Sequence, residues 1–391
     1  MQYALPYFLL TILLGLLALM YQRLDESMRF RMMLPCFFIM AAFFALRGYV
    51  GDDWVGYHPA YTRGLITDVH FDIWNSHGWR FEPGFTILLL CCKWVAGPDG
   101  YLFFQGVVTL VQLVLLFRFL LKFAPNLPLG LYLFLAMGGF IMLINTMRNT
   151  IALMLCLNAL PYLIDRKPLK YFALCAFACL FHASSIIFFP LYFILHRNYG
   201  RWFFLTLFVI GNCIVLFHIP VISGGIRFIA GIIGGKLDMM VNAYIDDTNM
   251  SSKAFVISIG YLERLFTGTL LYIFYDRLVA MRKHNIVFVN AFIFFFFIYF
   301  FFSEIYEVGR RLADLFIYCY WILLYDFFRC FKLRSNKILY ATFIGLYCSL
   351  KVFGVTGYPN TKYQNILFYH TRYEVRLSEH PFDMKEVHDS Q

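Results

Sequence analysis

The segment that decides the fold reads YLFFQGVVTLVQLVLLFRFLL and occupies residues 101–121. As an α-helix it would be about 30 Å long, which matches the hydrocarbon core of a bilayer. A run of this length with so few polar groups is typical of a membrane-spanning helix. We therefore predict that the chain crosses a membrane here.

Similar apolar runs recur along the whole chain. They lie at residues 4–21, 32–46, 101–121, 127–144, 149–164, 170–195, 202–217, 254–275, 287–302, 312–328 and 338–353. The run at 85–95 is too short to cross and lies between Pro83-Gly84 and Gly97-Pro98, so we predict a re-entrant or interfacial segment that returns to the outer face. The run at 170–195 is either one tilted span or two short ones that meet at Phe181-His182. The pattern predicts an all-α, polytopic transmembrane helical bundle of about 10–12 spans.

Composition excludes a water-soluble fold. Of the 391 residues, 61% are hydrophobic and only 14% are charged, whereas soluble domains carry about 25% charged residues. The net charge of +10 comes from Lys and Arg at span ends, which indicates anionic lipid at a cytoplasmic face rather than nucleic acid. The ten cysteines lie mostly in apolar runs without a ligand spacing, so we predict neither a metal site nor a cofactor.

The basic span ends also predict the topology. They place residues 47–84, 236–252 and 303–311 on the non-cytoplasmic side. We expect one transmembrane domain over residues 1–355, with outer loops at 47–84 and 236–252, followed by a polar tail over 356–391.

The first outer segment carries four candidate site residues. Arg47 is suited to phosphate oxygens, Asp53 can accept from sugar hydroxyls, and Trp54 and Tyr57 can stack on sugar rings. The structural alternative is an interfacial aromatic belt with an arginine that extends toward the headgroups.

Three further candidates lie in separate parts of the chain. Glu82 is either a catalytic carboxylate or the ion-pair partner of Arg80. Arg148 lies on the predicted outer face, against the positive-inside bias, which indicates either an anionic ligand or an ordinary loop arginine. His182 interrupts an apolar stretch and is either a base or phosphate donor, or a histidine paired with a backbone carbonyl.

Arg310 and Arg311 are the last candidates and lie between two spans on the same predicted face. Glu307 is four residues before Arg311, so local pairing accounts for one arginine but hardly for both.

The order of these motifs resembles the EpsG-like members of the Wzy polysaccharide polymerase family. The likeness runs through Gly51-x-Asp53-x-x-x-Tyr57, Glu82-Pro83-Gly84-Phe85, Met147-Arg148-Asn149-x-Ile151-Ala152, Phe181-His182-x-Ser184 and Gly309-Arg310-Arg311. The family often has Gln where Asn149 stands. The doubled arginine leaves open whether Arg310 or Arg311 is the family position.

The resemblance implies a metal-independent glycosyltransferase of the GT-C type in the bacterial inner membrane, with its active site facing the periplasm or exterior. It would polymerise undecaprenyl-diphosphate-linked repeat units by en bloc transfer into exopolysaccharide, capsule or O-antigen. A chain-length regulator and a flippase of the same pathway would be its partners. Asp53 is then the first choice for the catalytic base and His182 the second. Glu82 would orient sugar, and Arg47, Arg148, Arg310 and Arg311 would bind the diphosphate.

Two other classes remain open on the sequence. A flippase or transporter of lipid-linked glycan would share the spans, but it should show internal symmetry and polar residues along the depth of a cavity. A membrane-bound acyltransferase also uses an intramembrane histidine, but it should carry a further polar motif on the cytoplasmic side.

Overall fold

The computed structural model describes residues 2–62, 81–219, 221, 222, 225 and 258–380. Contacts divide the chain into two compact units, one formed by Met1–Tyr192 with Cys348–Gln391 and the other by Phe193–Tyr347. In the described part, the regular structure is helical apart from two isolated β-bridges. The prediction of an all-α polytopic bundle is confirmed.

The helices follow one another in a simple order. Those that begin in the first half of the chain are α1 (Leu5–Tyr21), α2 (Glu26–Phe44), α3 (Trp54–Thr62), α4 (Pro83–Ala96), α5 (Tyr101–Phe123), α6 (Leu127–Phe134), α7 (Phe140–Ile144), α8 (Met147–Ile164), α9 (Pro168–Cys179) and α10 (Phe188–Ile194). Those that follow are α11 (Gly200–Leu216), α12 (Ile259–Met281), α13 (Asn285–Phe301), α14 (Tyr306–Asp314), α15 (Tyr318–Cys330), α16 (Arg334–Thr356) and α17 (Tyr373–Ser378).

Six helical segments in the described residues are long and apolar enough to cross a membrane. They are Gln2–Tyr21, Glu26–Phe44, Tyr101–Phe123, Leu127–Ile144, Met147–Ile164 and Arg334–Thr356. Five shorter apolar helices of 10–17 residues accompany them, among them Pro83–Ala96. The re-entrant role of that helix and the count of 10–12 spans stay predictions. The protein is a multi-pass membrane protein.

Three apolar runs are interrupted in ways that matter for polar chemistry. The run at 127–144 contains a π-helical turn, in which Gly138 has a φ of +106°. The run at 312–328 is divided, because α14 ends at Asp314 and α15 begins at Tyr318. The run at 170–195 breaks after Cys179, and a short 3₁₀ turn begins at Ala183. The run is therefore divided at Phe181-His182, as the second of the two possibilities requires, while the role of each piece as a separate span stays a prediction.

Helix α8 lies at the centre of the first unit and sets the position of Arg148. Almost its whole length is buried against α5 and α9. Two side-chain amides fasten it to α5: Gln112 donates to the Met147 carbonyl at 3.0 Å, and Asn158 donates to the Leu115 carbonyl at 3.0 Å. Inside a membrane such bonds satisfy polar groups that lipid cannot, so they fix helix register. The first turn of α8, which carries Arg148, is therefore fixed in place.

Candidate active site

A glycine turn shapes the segment that follows α2. Gly51 has a φ of +87°, and a Cβ atom there would lie 2.0 Å from Asn145 Oδ1. Only glycine fits such a position. Asn145 Oδ1 accepts from the Asp52 backbone N–H at 2.9 Å, and its amide donates to Asp52 Oδ2 at 3.3 Å. The turn thus anchors Asp52 and determines where the next carboxylate, Asp53, enters α3.

Asp53 is a half-buried carboxylate at the start of α3. Its backbone carbonyl accepts from the N–H groups of Gly56 and Tyr57. In the described residues no hydrogen bond reaches its carboxylate oxygens. The pKa of Asp53 is raised to about 7, mainly by burial; the charge of Arg148 opposes this rise, the Asp52 carboxylate adds to it, and Arg47 opposes it. A carboxyl group with a pKa near neutrality can exchange a proton under physiological conditions.

Arg148 is fixed by neighbours from two other parts of the chain. Its Nε donates to the Tyr57 hydroxyl at 3.0 Å, and its Nη1 donates to Glu82 Oε2 at 2.5 Å. The guanidinium lies 4.8 Å from the centre of the Phe81 ring, which is a cation–π distance. The side chains of Arg148 and Glu82 are 24% and 21% exposed. The arginine is held in one orientation yet remains open to a ligand.

Glu82 precedes α4 and touches a third segment of the chain. Its Oε1 accepts from the Ala183 backbone N–H at 3.4 Å. The approach depends on Gly84, whose N–H donates to the Leu180 carbonyl at 2.7 Å; a Cβ at Gly84 would lie 2.9 Å from that carbonyl oxygen. The Glu-Pro-Gly order is therefore explained: Pro83 starts the helix and Gly84 permits the contact. Glu82 pairs with Arg148, and Arg80 lies outside the described residues.

His182 lies at the break between α9 and the 3₁₀ turn and points toward Ser184. Its Nδ1 accepts from the Ser184 backbone N–H at 3.2 Å and lies 2.8 Å from Ser184 Oγ. Ser184 Oγ donates to Asn149 Oδ1 at 2.9 Å. Because Nδ1 accepts a backbone N–H, a neutral His182 carries its proton on Nε2. The ring is thus oriented as a hydrogen-bond donor at Nε2.

Three predicted ligand residues are buried: Tyr57, which bonds Arg148, is 8% exposed, and Arg47 and Trp54 are covered more completely. Arg47 is 1% exposed, and its Nη1 donates to the Phe44 carbonyl at 2.6 Å and to Thr109 Oγ1 at 2.7 Å. Burial lowers the pKa of Arg47 to about 10. Trp54 is also 1% exposed and donates to the Gly51 carbonyl at 2.8 Å. Both side chains are enclosed by protein, and their predicted contacts with a ligand stay predictions.

Arg310 and Arg311 belong to the second unit. Arg310 Nη1 lies 3.4 Å from Asp314 Oδ2, one helical turn away on α14, and Arg311 is exposed. The side chain of Glu307 lies outside the described residues, so the pairing with Arg311 stays a prediction. That Arg310 and Arg311 bind the same ligand as Arg148 also stays a prediction.

The sequence analysis missed the contribution of the C-terminal segment. Asp52 Oδ1 accepts from Asn360 Nδ2 at 2.7 Å and lies 3.1 Å from His380 Nε2. The Tyr373 ring stacks on His58 with 3.7 Å between ring centres. The only signal in the sequence was the unusual polarity of residues 356–391, which says nothing about where they pack.

The predicted outer loop at 236–252, residues 63–80 of the first outer segment, and residues 381–391 of the tail lie outside the described residues. In the described part, no group of three or more His, Cys, Asp and Glu residues is arranged to hold a metal ion.

The fold and the site together define a class: an all-α, multi-pass membrane protein with a half-buried arginine–carboxylate cluster beside one end of its central helix α8. The sequence profile of the EpsG family matches residues 30–371. The chain belongs to the EpsG family, which associates it with polysaccharide polymerisation in exopolysaccharide biosynthesis, with a lipid-linked saccharide as substrate and with the inner membrane. Searches of curated proteins and of solved structures found no significant match.

Proposed function

We propose that this protein joins polyprenyl-diphosphate-linked oligosaccharide repeat units en bloc into a surface polysaccharide, at the outer face of the inner membrane. One observation carries the proposal. Four segments far apart in the sequence meet around one ion pair: Arg148 contacts Tyr57 and Glu82, and Glu82 contacts the turn that follows His182. Asp53, with a pKa of about 7, lies in the same part of the fold.

The position of the cluster along α8 supports the outer face. Arg148 lies in the first turn of α8, and Arg166 and Lys167 follow its last turn. A helix of this length separates the two ends by about 27 Å. The positive-inside rule places the Arg166 and Lys167 end in the cytoplasm, which leaves Arg148 on the opposite side.

The proposed reaction is a displacement at the anomeric carbon of the donor glycan. A hydroxyl oxygen of the acceptor repeat unit forms the new bond to that carbon. The bond between the carbon and the diphosphate oxygen breaks, and its electron pair leaves with the polyprenyl diphosphate. Asp53, in its ionised form, takes the hydroxyl proton. A base with a pKa near the working pH suits this step because it is ionised often enough and still basic enough.

We assign the departing diphosphate to Arg148. Its Nε and Nη1 each donate one hydrogen bond, to Tyr57 and to Glu82. A guanidinium has five N–H donors, so the other N–H groups of Arg148 are left for phosphate oxygens. A fixed cation aimed at developing negative charge stabilises the transition state without reorganising. Glu82 and Tyr57 are then positioning residues that act through Arg148, and no metal is needed in this scheme.

We assign His182 to hydrogen bonding rather than to proton abstraction. His182 Nδ1 accepts the backbone N–H of Ser184, so the neutral ring carries its proton on Nε2. That proton suits a phosphate or sugar oxygen. This choice keeps Asp53 as the base. Arg47 and Trp54, which are buried, shape the loop that carries Asp53, while Arg310 and Arg311 remain proposed contacts to the diphosphate.

Purified protein in liposomes, supplied with polyprenyl-diphosphate-linked repeat units, tests the proposal directly. The wild type should convert single units into a ladder of lipid-linked polymer, with and without EDTA. Asp53→Asn should lower the rate by about 100-fold or more, the range for a general base. Asp99→Asn removes an exposed carboxylate in a loop and is the matched control. Movement of single units across the bilayer without polymer, or an unchanged rate in Asp53→Asn, would contradict the proposal.

A further inference from the structure

The C-terminal segment folds back onto the loop that precedes α3. The N–H of Gly48 donates to the Gln364 carbonyl at 3.0 Å, and the N–H of Gly51 donates to the Asn360 carbonyl at 2.9 Å. The residues next to Gly48 and Gln364, Arg47 and Asn365, form an isolated antiparallel β-bridge. Two stretches about three hundred residues apart are therefore paired through their backbones. The tail is part of the scaffold around the site loop.

Arg376 fastens this arrangement from inside. It is 3% exposed, and its Nε donates to the Tyr49 carbonyl at 3.0 Å. Its Nη2 donates to the carbonyls of Pro359 and Asn360 at 3.3 and 3.1 Å, and its Nη1 pairs with Glu379 at 3.1 Å. One guanidinium thus joins the site loop to two places in the tail. Its loss would leave the Tyr49 carbonyl and the Glu379 carboxylate without this donor.

The tail also contacts the residues on both sides of Asp53. Asp52 Oδ1 accepts from Asn360 and lies 3.1 Å from His380 Nε2. The His380 ring packs edge-on against Trp54, with 5.6 Å between ring centres. Asp53 lies between two neighbours that the tail holds. Because consecutive residues share the same backbone, an anchor on Asp52 and on Trp54 also restricts Asp53.

The anchoring residues lie beyond the part of the chain that the family profile covers. That match ends at residue 371, whereas Arg376 and His380 follow it. Nothing in the family match therefore assigns them a role, and their contacts within this fold are the reason to give them one.

We propose that Arg376 and His380 are positioning residues, which clamp the loop that carries Asp53 and keep its carboxylate half-buried and within the electrostatic influence of Arg148. The inference rests on the proposed function, because it assumes that Asp53 is the base. Without the clamp, water would reach Asp53, and the carboxyl group would return toward the ordinary behaviour of an exposed aspartate. The charged groups that act on it are Arg148, Asp52 and Arg47, and the hydroxyls of Tyr57 and Tyr101 also face it. Substitutions at Arg376 and His380 leave all five groups in the protein.

The test is the pH dependence of polymerisation by the full-length protein in liposomes. The base must be ionised to act, so the wild-type rate should rise with pH and level off above about 7. In Arg376→Met and in His380→Phe the rising limb should move to lower pH by at least about one unit, and the rate on the plateau should fall about tenfold. Arg376→Lys should lie between them and the wild type, since a lysine reaches fewer carbonyls.

Arg372→Met is the matched control, because Arg372 is exposed immediately before α17. It should leave both the plateau and the limb unchanged. His380→Phe keeps an aromatic ring against Trp54, so it serves as the test variant if Arg376→Met does not fold. A variant that only folds less well would lose rate equally at every pH.

A limb that stays at the wild-type pH in both folded variants would overturn the inference. That result differs from failure of the proposed function, which would show as a wild-type protein that forms no polymer or whose rate has no limb near pH 7.

Discussion

In each compact unit a predicted site arginine pairs with a carboxylate, Arg148 with Glu82 and Arg310 with Asp314, but these two pairs are built differently. Arg148 and Glu82 are 66 positions apart in the sequence and meet at 2.5 Å, with each side chain mostly covered. Arg310 and Asp314 are one helical turn apart and meet at 3.4 Å, each about 40% exposed. The first pair exists only because the fold brings together two segments that are far apart in the sequence. The second would form on an isolated helix, so it carries little information about a site.

The largest expected difference between the two pairs is in catalysis. Arg148→Lys keeps the positive charge but loses the fork that reaches Tyr57, Glu82 and a phosphate at once. We expect the initial rate of chain growth to fall about 100-fold or more, as for loss of one transition-state donor. Arg310→Lys is the parallel change at another proposed contact to the diphosphate; it keeps the charge and loses only a local, exposed pair, so it should cost less than about tenfold. Equal losses would mean that the long-range pair has no special role.

A backbone change should have the next largest effect. Gly84→Ala would place a Cβ 2.9 Å from the Leu180 carbonyl, so α4 must shift and carry Glu82 away from Arg148. We expect a rate loss of about tenfold, because small misplacements of a charged group are costly. The readout is chain growth per folded protein, with folding checked by size-exclusion chromatography.

Gly354→Ala in α16 is the control for that change, because a Cβ there would meet no atom within 4 Å. It should leave the rate unchanged. A Gly84→Ala protein with full activity would show that the approach of α4 to α9 does not position Glu82.

The charge of Arg148 should also affect the pH dependence of the polymerisation rate. Burial raises the pKa of Asp53, the positive charge of Arg148 lowers it, and the net value is about 7. Removing the charge in Arg148→Gln should therefore raise the pKa, and the rising limb of the residual activity should move to higher pH. A limb at the same pH as the wild type would indicate that Arg148 does not act on the base.

The smallest expected effect is on stability in the second unit. Asp314→Ala removes an exposed pair and should change the free energy of unfolding by less than about 1 kcal/mol. Glu82→Ala leaves a half-buried arginine without its carboxylate, and we expect a loss of about 1–3 kcal/mol. Thermal unfolding in the same detergent compares the two. A larger loss of stability in Asp314→Ala than in Glu82→Ala would contradict this prediction.

Much of the helical framework was predictable from the sequence. Long apolar runs have few alternatives in a membrane, so the spans at 101–121 and 149–164 agree closely with Tyr101–Phe123 and Met147–Ile164. Arg148, Glu82 and His182 stood out because polar groups are costly next to apolar runs. The sequence therefore indicated which residues were unusual, although it could not indicate that they would meet.

The rest depended on partners that leave no local signal. Arg47 was predicted to bind phosphate oxygens, with an arginine that extends toward the headgroups as the alternative, but Thr109 in the apolar run of α5 supplies an acceptor for its buried side chain. The contact between Asn360 and Asp52 spans 308 positions, and no periodicity of a polar tail predicts such a contact. In physical terms, burial of an arginine or docking of a tail is decided by the acceptors that tertiary packing provides.

The most direct test of the central claim is gel analysis of lipid-linked and surface glycan from cells that carry Arg148→Ala, with expression and membrane insertion verified and Arg23→Ala, an exposed arginine, as the control. We expect single repeat units to accumulate on their lipid at the outer leaflet, and the long-chain ladder to disappear. A normal ladder, or repeat units trapped at the cytoplasmic leaflet, would contradict the assignment of Arg148 to a polymerase site.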